Sequence, residues 1–196
     1  MQALKTNQLR ALNTAQIGVL GTDQIQALSS AQVAALTTLQ ITGLNTDQIF
    51  ALTTNQVAFG LSTAQLQALD TAQIAALETE DIAWLKTSLV AALTTEQLNL
   101  GLSSEQTAAL TTAQVASLTT RQISQGLRTD QLAGLSTEQI RVLTAAQIMS
   151  LTTDQVAAME TEDVAALKTA QVAALRTNQV QSLSTDQVVS LQTQQV

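Results

Sequence analysis

The sequence predicts an all-α fold, a solenoid or superhelical coil of about 24 octapeptide repeats, each with one short capped helix and a two-residue corner. Three observations support this prediction. Leucine recurs every eight residues, a hydroxyl residue stands at one fixed position of the repeat, and an apolar pair follows at helical spacing. Because the repeat extends through the whole chain, it is stronger evidence for the fold class than any single motif.

Leucine marks the repeat from Leu4 to Leu191, with Met159 replacing it once. Of the 23 intervals, 20 are eight residues long and three are nine. We therefore predict one continuous array over 1–196, and we expect it to be a fragment of a longer array rather than a unit that associates end to end. The nine-residue units lie at 52–60, 93–101 and 118–126.

The third position of the repeat is Thr or Ser in 23 of 24 copies, as in "LTTDQVAA" at 151–158. Ten of the 15 acidic residues directly follow it. A hydroxyl followed by an acid is typical of a helix N-cap and first turn. The second position varies more, and we expect it to face solvent. The predicted capping residues include Thr22, Thr46, Thr63, Thr95, Thr137, Thr153 and Thr185.

Val, Ile or Leu at the sixth position and the next Leu, three residues later, share one face of a short helix. A continuous helix is excluded, because eight residues rotate the apolar stripe by roughly 80° per repeat. A strand places the two apolar groups on opposite faces and is disfavoured by Ala and Gln. A β-solenoid remains the alternative. Helices this short must be held by their neighbours.

The fifth position is Gln in 21 of 24 copies; the exceptions are Asp81, Leu89 and Asp163. A side chain with one amide acceptor and one amide donor, repeated this regularly, predicts a ladder between neighbouring turns. A row of ligand-binding glutamines is the alternative interpretation. The predicted ladder includes Gln24, Gln48, Gln65, Gln97, Gln139, Gln155 and Gln187.

Each nine-residue unit ends with Gly followed by Leu, at Gly60, Gly101 and Gly126. Glycine at a helix C-terminus is typical of a left-handed residue. We therefore predict corners that adjust the superhelix, with a hinge or binding notch as the alternative.

Composition limits the chemistry available to the chain. A formal charge of −7 with eight Lys plus Arg disfavours nucleic acid as a partner. No run of 18 apolar residues is present, so membrane insertion is not expected. His and Cys are absent, which excludes Ser-His and Cys-His nucleophiles. The sequence predicts neither an enzyme nor a cofactor.

Two acidic segments, "LETEDIAWLKT" at 77–87 and "METEDVAALKT" at 159–169, lie 82 residues apart. Carboxylate clusters suit Ca²⁺, although the spacing here lacks a calcium loop, and a solvated helix start is the preferred interpretation. Trp84 and Phe59 are interpreted as plugs in wider parts of the coil, with sugar-stacking platforms as the alternative. The candidate metal ligands are Glu78, Glu80, Asp81, Glu160, Glu162 and Asp163.

The octapeptides "LTTDQVAA", "LTTAQVAS" and "LSTDQVVS" resemble tandem repeats of large bacterial exported, adhesin-like proteins. The resemblance implies a spacer or adhesive role, extracellular or at the cell surface. From the array itself we expect the partners to be neighbouring repeats of the same or identical chains, with end-to-end self-association as a further option. A module that binds calcium, glycan or ice on a repetitive face is the alternative. "LTTEQLNLGL" at 93–102 is similar to the opening helix of transcription-activator-like effector repeats, but the base-reading loop does not follow.

Overall fold

A computed structural model describes residues 3–192, and every regular element within them is helical. The predicted α-solenoid is confirmed, and the β-solenoid alternative is wrong for this part of the chain. The array forms two compact units, 1–102 and 103–196. Residues 1, 2 and 193–196 of the predicted array lie outside the described residues.

The first unit consists of short α-helices and one π-helix. Their bounds are α1 Thr6–Arg10, α2 Thr14–Gly18, α3 Thr22–Gln26, α4 Ser30–Ala35, α5 Thr38–Thr42, α6 Thr46–Phe50, α7 Thr54–Gly60, α8 Thr63–Ala68, α9 Thr71–Ala75, α10 Thr79–Trp84, α11 Thr87–Val90 and the π-helix π1 Gln97–Gly101.

The second unit repeats this organisation. Its elements are α12 Ser104–Ala108, α13 Thr112–Ser117, the π-helix π2 Gln122–Gly126, α14 Thr129–Ala133, α15 Thr137–Arg141, α16 Ala145–Ser150, α17 Thr153–Ala157, α18 Thr161–Ala166, α19 Thr169–Val172, α20 Thr177–Ser182 and α21 Thr185–Ser190.

Within each unit, a helix packs on the helix three positions further along the chain. In the first unit α1 packs on α4, α4 on α7 and α7 on α10; in the second, α15 packs on α18 and α18 on α21. Three repeats therefore complete one turn of the coil, and each turn stacks on the next. This arrangement supplies the neighbours that helices of four to seven residues need.

The core is built from the apolar pair that the repeat predicts. Ile49 inside α6 is 0% exposed, and the corner Leu52 is 3% exposed. The corner N–H of Leu52 donates to the carbonyl of Ile49 at 3.0 Å, which closes the last turn of the helix. Full burial of each such side chain stabilises the fold by about 1.5–3 kcal/mol.

The nine-residue units differ from their predicted form. No glycine among residues 3–192 has a positive φ, so the left-handed corner predicted for Gly60, Gly101 and Gly126 is wrong. The extra residue is instead taken into the helix: α7 has seven residues and ends at Gly60, and Gly101 and Gly126 each end a π-helix. A single-turn π-helix is a common way to accommodate one inserted residue.

Close approach explains two of these glycines. A Cβ on Gly101 would lie 2.9 Å from Ile74 Cγ2, and one on Gly60 would lie 3.0 Å from Val33 Cβ. Both neighbours belong to the preceding turn. Glycine is therefore required at these points because the next layer of the coil packs directly on the backbone.

Among residues 3–192, no helix has the length and apolar character that crossing a membrane requires.

Candidate functional site

The second position of the repeat caps the helices. In α17 the backbone N–H of Gln155 donates to Thr152 Oγ1 at 3.1 Å, and in α6 the N–H of Gln48 donates to Asn45 Oδ1 at 2.9 Å. Side-chain caps of this kind are made by Asn13, Ser29, Thr37, Asn45, Thr53, Ser62, Asp70, Thr94, Ser103, Thr111, Thr119, Ser136, Thr144, Thr152 and Ser184.

The predicted capping residues Thr22, Thr46, Thr63, Thr95, Thr137, Thr153 and Thr185 are therefore one position too late. All but Thr95 begin their helices, and the residue before each is the N-cap. Thr95 lies two residues before π1, and there the preceding Thr94 accepts the Gln97 N–H at 3.0 Å. The sequence carried the correct signal, because the second position is Ser, Thr, Asn or Asp in 15 of 24 copies.

Hydroxyls at the third position instead face the next turn of the coil. Ser30 Oγ donates to the backbone oxygen of Asn55 at 3.0 Å, and Ser104 Oγ donates to Asp130 Oδ2 at 2.7 Å. These partners lie 25 and 26 residues ahead. Where such bonds form, the third position contributes to stacking rather than to capping.

The buried glutamines of the row use both ends of the side-chain amide. The Oε1 atom accepts the N-cap backbone N–H three residues earlier, as between Asn45 N and Gln48 Oε1 at 2.9 Å. This contact persists where the capping side chain has no acceptor, as at Gly21 and Arg128. Glutamine therefore completes the cap whether or not the second position has a side-chain acceptor, which explains why that position tolerates Gly and Arg.

The Nε2 end reaches the preceding turn. Gln48 Nε2 donates to Ile17 O at 3.1 Å and to Leu20 O at 2.7 Å, which lie 31 and 28 residues earlier. The same two-carbonyl contact is made by Gln65, Gln97, Gln139, Gln155 and Gln187 on Val33 and Leu36, Leu66 and Leu69, Ala108 and Leu110, Ile123 and Leu127, and Val156 and Met159.

Gln24 differs from these glutamines. Like Gln8 and Gln16 it is exposed, and its Oε1 accepts the N-cap N–H at 2.9 Å. The Nε2 atoms of these three glutamines have no hydrogen-bond acceptor among residues 3–192. From Gln32 to Gln187 the glutamines of the row are buried. The predicted ladder residues thus fall into a buried set that joins two turns and an exposed set that only caps.

Asp81 is fully buried at a glutamine position of α10. Its Oδ2 accepts the Glu78 N–H at 3.1 Å, whereas its Oδ1 makes no hydrogen bond among the described residues. Burial raises the pKa of Asp81, while the Glu78 N–H and the nearby Thr54 hydroxyl act in the opposite direction. Asp81 is therefore a short acidic side chain at a buried position where most repeats have the amide of glutamine.

Asp163 holds the equivalent position in α18 and is 4% exposed. Its Oδ1 accepts a hydrogen bond from Thr137 Oγ1 at 3.0 Å. Burial raises the pKa of Asp163, and the Thr137 hydroxyl partly opposes this effect. The two acidic segments therefore place the same unusual group at the same point of the repeat.

The other candidate metal ligands do not gather around these aspartates. Glu78, Glu80, Glu160 and Glu162 are exposed. Among residues 3–192, no three acidic side chains converge as a metal site requires. The structure therefore separates each buried aspartate from its acidic neighbours in the sequence.

The aromatic residues are not plugs. Phe59 is 57% exposed and Trp84 is 60% exposed, and they occupy equivalent positions of α7 and α10, which pack on each other. Lys86 Nζ lies 5.4 Å from the centre of the Phe59 ring. Two residues separate Phe59 from the buried Val57, a rotation of about 200° that turns the ring to the outer face of the helix.

A family model described as ALTTAQ repeat matches the chain six times, at residues 1–38, 29–58, 60–87, 74–112, 125–159 and 156–193. The tandem arrangement of these matches agrees with the octapeptide array found in the sequence. Comparison with curated proteins gave no match.

Proposed function

Since the chain belongs to the ALTTAQ repeat family, we propose that it is a non-enzymatic structural or interaction array, a spacer or adhesin segment of a secreted or cell-surface protein. The observation that carries this proposal is the buried glutamine row. A buried glutamine such as Gln48 spends Oε1 on the cap of its own helix and Nε2 on the preceding turn. These polar groups stabilise the stacking of successive turns, as expected for a spacer whose function is to extend between two points.

The proposed location rests on the resemblance of the octapeptides to those of large bacterial exported proteins. The chain also lacks cysteine, so exposure to an oxidising environment would not alter it through thiol chemistry. Fractionation of the native cells with an antibody against the repeats tests this location. Recovery in the cytoplasmic fraction would contradict it.

The proposed partners are further repeats, either of the same chain or of an identical one. Gln8, Gln16 and Gln24 support this proposal, because each presents an exposed Nε2 where later glutamines contact a preceding turn. Sedimentation over a concentration series tests association between chains. A species that stays monomeric at every concentration would limit the stacking partners to repeats of the same chain.

The spacer function can be tested by displaying the chain between a surface anchor and a terminal epitope. Two tandem copies should place the epitope farther from the surface than one copy, measured by super-resolution distance imaging. The matched control carries Gln48→Glu and Gln155→Glu, which weaken the contacts between turns. If doubling the array leaves the epitope at the same height, the spacer function is wrong.

A second candidate function is glycan binding at the exposed rings of Phe59 and Trp84. Trp84 lines a surface pocket with Glu80, Asn55 and Thr54, which supplies polar groups beside an aromatic face. A glycan array compared between the chain and Trp84→Ala tests this function, with calcium calorimetry in parallel for metal binding. Identical array signals from both proteins would exclude a glycan site at this pocket.

A further inference from the structure

At two corner carbonyls of the coil, an aspartate replaces the glutamine whose amide normally donates a hydrogen bond. At glutamine positions, Nε2 reaches the corner carbonyl 28 or 29 residues earlier, as from Gln73 to Leu44 at 2.7 Å and from Gln171 to Leu143 at 2.8 Å. For Asp81 and Asp163 the equivalent carbonyls belong to Leu52 and Leu135. Neither carbonyl receives a hydrogen bond among residues 3–192.

The aspartates at these positions cannot act as donors while they are ionised. A carboxylate only accepts hydrogen bonds, so an acceptor replaces the amide donor of glutamine in both turns. At Asp81 one oxygen is satisfied by the Glu78 N–H, and the buried Oδ1 is left without a partner. An unpaired, buried, charged oxygen is among the most costly groups a fold can contain.

The charges around the two groups do not favour ionisation. Around Asp81, the packed α7 carries no ionisable residue, Glu78 and Glu80 are acidic, and the following corner carries Lys86, which lies over the Phe59 ring.

Around Asp163, the neighbours Glu160 and Glu162 are acidic, and α21 adds Asp186. On α15, Arg141 pairs with Glu138 at 3.2 Å. Lys168 stands at the corner that follows α18. Two hydrogen bonds favour the ionised form of Asp163, one from the Thr137 hydroxyl and one from the Glu160 backbone.

We propose that Asp81 and Asp163 each bind a proton in the folded array and use it as the hydrogen-bond donor that Nε2 supplies at glutamine positions. A neutral carboxyl group has one O–H donor and is far less costly to bury than a carboxylate. The two acidic segments thus form a pair of proton-binding sites, and the turns that contain them stack more firmly in mild acid than at neutral pH.

The direction of the pH effect follows from the raised pKa of each group. A carboxyl whose folded-state pKa exceeds its ordinary value of 3.8 binds its proton more tightly in the folded state than in the unfolded state. The stabilisation is therefore absent above the raised pKa, grows as the pH falls through it, and is complete below 3.8. This is opposite to the behaviour of a carboxylate held in a salt bridge.

The test compares the full chain with three double variants over pH 4 to 8. Asp81→Gln with Asp163→Gln restores the amide of the repeat. Asp81→Asn with Asp163→Asn is isosteric with the protonated acid. The control, Asp47→Asn with Asp154→Asn, removes two exposed carboxylates, one from each unit, and so matches the change in net charge.

At pH 7.5 we expect the glutamine and asparagine variants to melt at a higher temperature than the native chain, and this gap should close towards pH 4. The control should keep the pH dependence of the native chain. Carboxyl-carbon NMR should show that the pKa values of Asp81 and Asp163 lie above the ordinary value of 3.8. A gap that is the same at both pH values, or a titration of both groups at or below 3.8, overturns the proposal. The NMR titration uses the native chain, so it decides even if a variant does not fold.

Discussion

Gln48 Nε2 donates a hydrogen bond to the carbonyl oxygen of Leu20, 2.7 Å away and 28 residues earlier in the chain. The Oε1 of the same amide accepts the Asn45 N–H, so one side chain both starts its helix and holds the preceding turn. Helix formation and turn stacking are therefore linked through a single residue. This linkage explains how helices of about five residues remain folded in an array of nearly identical repeats.

We expect Gln48→Glu to lower the free energy of unfolding by about 2–3 kcal/mol at neutral pH, because the acceptor for the cap remains while the donor is replaced by a buried charge. Gln24→Glu is the matched control: it also starts a helix, but its Nε2 has no carbonyl acceptor among the described residues. This control should change stability by less than about 0.5 kcal/mol. Urea denaturation measures both, and equal losses would contradict the dual role of Gln48.

The position of the cap can be tested in a single repeat. Thr152→Ala removes the Oγ1 acceptor of the Gln155 N–H and should cost about 1 kcal/mol. Thr153→Ala lies in the first turn of α17, one residue after the cap, and should cost less than about 0.5 kcal/mol. Thermal denaturation of the two variants under the same conditions gives the comparison. A larger loss for Thr153→Ala would restore the capping assignment made from the sequence.

The sequence predicted the fold class well because its signal is periodic. The spacing of apolar residues such as Ile49 and Leu52 excluded both a continuous helix and a strand, and the structure buries both side chains. The predicted cap is one residue too late because Thr and Ser are common at two neighbouring positions, and the more regular of the two is not the one that caps. In the structure the more regular position faces the next turn in the bonds made by Ser30 and Ser104.

The candidate site was less predictable. Local spacing grouped Glu78, Glu80 and Asp81 as one acidic cluster, but the helix buries Asp81 and leaves the glutamates in solvent. That separation depends on the glutamine position facing the preceding turn, which requires knowledge of three repeats per turn. The same missing information concealed the role of Gly101, whose neighbour Ile74 lies 27 residues earlier in the sequence.

Gly101→Ala should destabilise the chain by about 1–3 kcal/mol, because the added Cβ would lie 2.9 Å from Ile74 Cγ2 and 3.0 Å from Ile74 Cβ. The control is Gly21→Ala, at an N-cap with a φ of −69°, where the nearest atom is the flexible Gln24 Oε1 at 3.9 Å. This change should lie within about 0.5 kcal/mol of the native chain. Chemical denaturation measures both. Similar stabilities for the two variants would show that the layers near Gly101 do not pack as closely as described.

Arg128→Ala should raise the pKa of Asp130 from about 2 towards its ordinary value of 3.8. Hydrogen bonds from Arg128 are the largest cause of the lowered pKa, with Arg128 Nε 3.0 Å from Asp130 Oδ1, and the Ser104 hydroxyl adds a second contribution. The cap of α14 survives the substitution, because Gln131 Oε1 accepts the backbone N–H of Arg128. Carboxyl-carbon NMR of the native chain and the variant measures the change.

The lowered pKa of Asp130 determines how this residue changes the stability of the fold with pH. A carboxylate of this kind stabilises the folded state above 3.8, and its contribution is lost as the pH falls towards about 2. The variant should therefore be less stable than the native chain at neutral pH by a small amount, because the pair is exposed, and the difference should vanish near pH 2. Arg128→Lys keeps the charge but loses the bidentate contact. The pKa of Asp130 in this variant should therefore lie between its values in the native chain and in Arg128→Ala. An unchanged pKa in Arg128→Ala would assign the effect to Ser104, and Ser104→Ala would then be expected to abolish it.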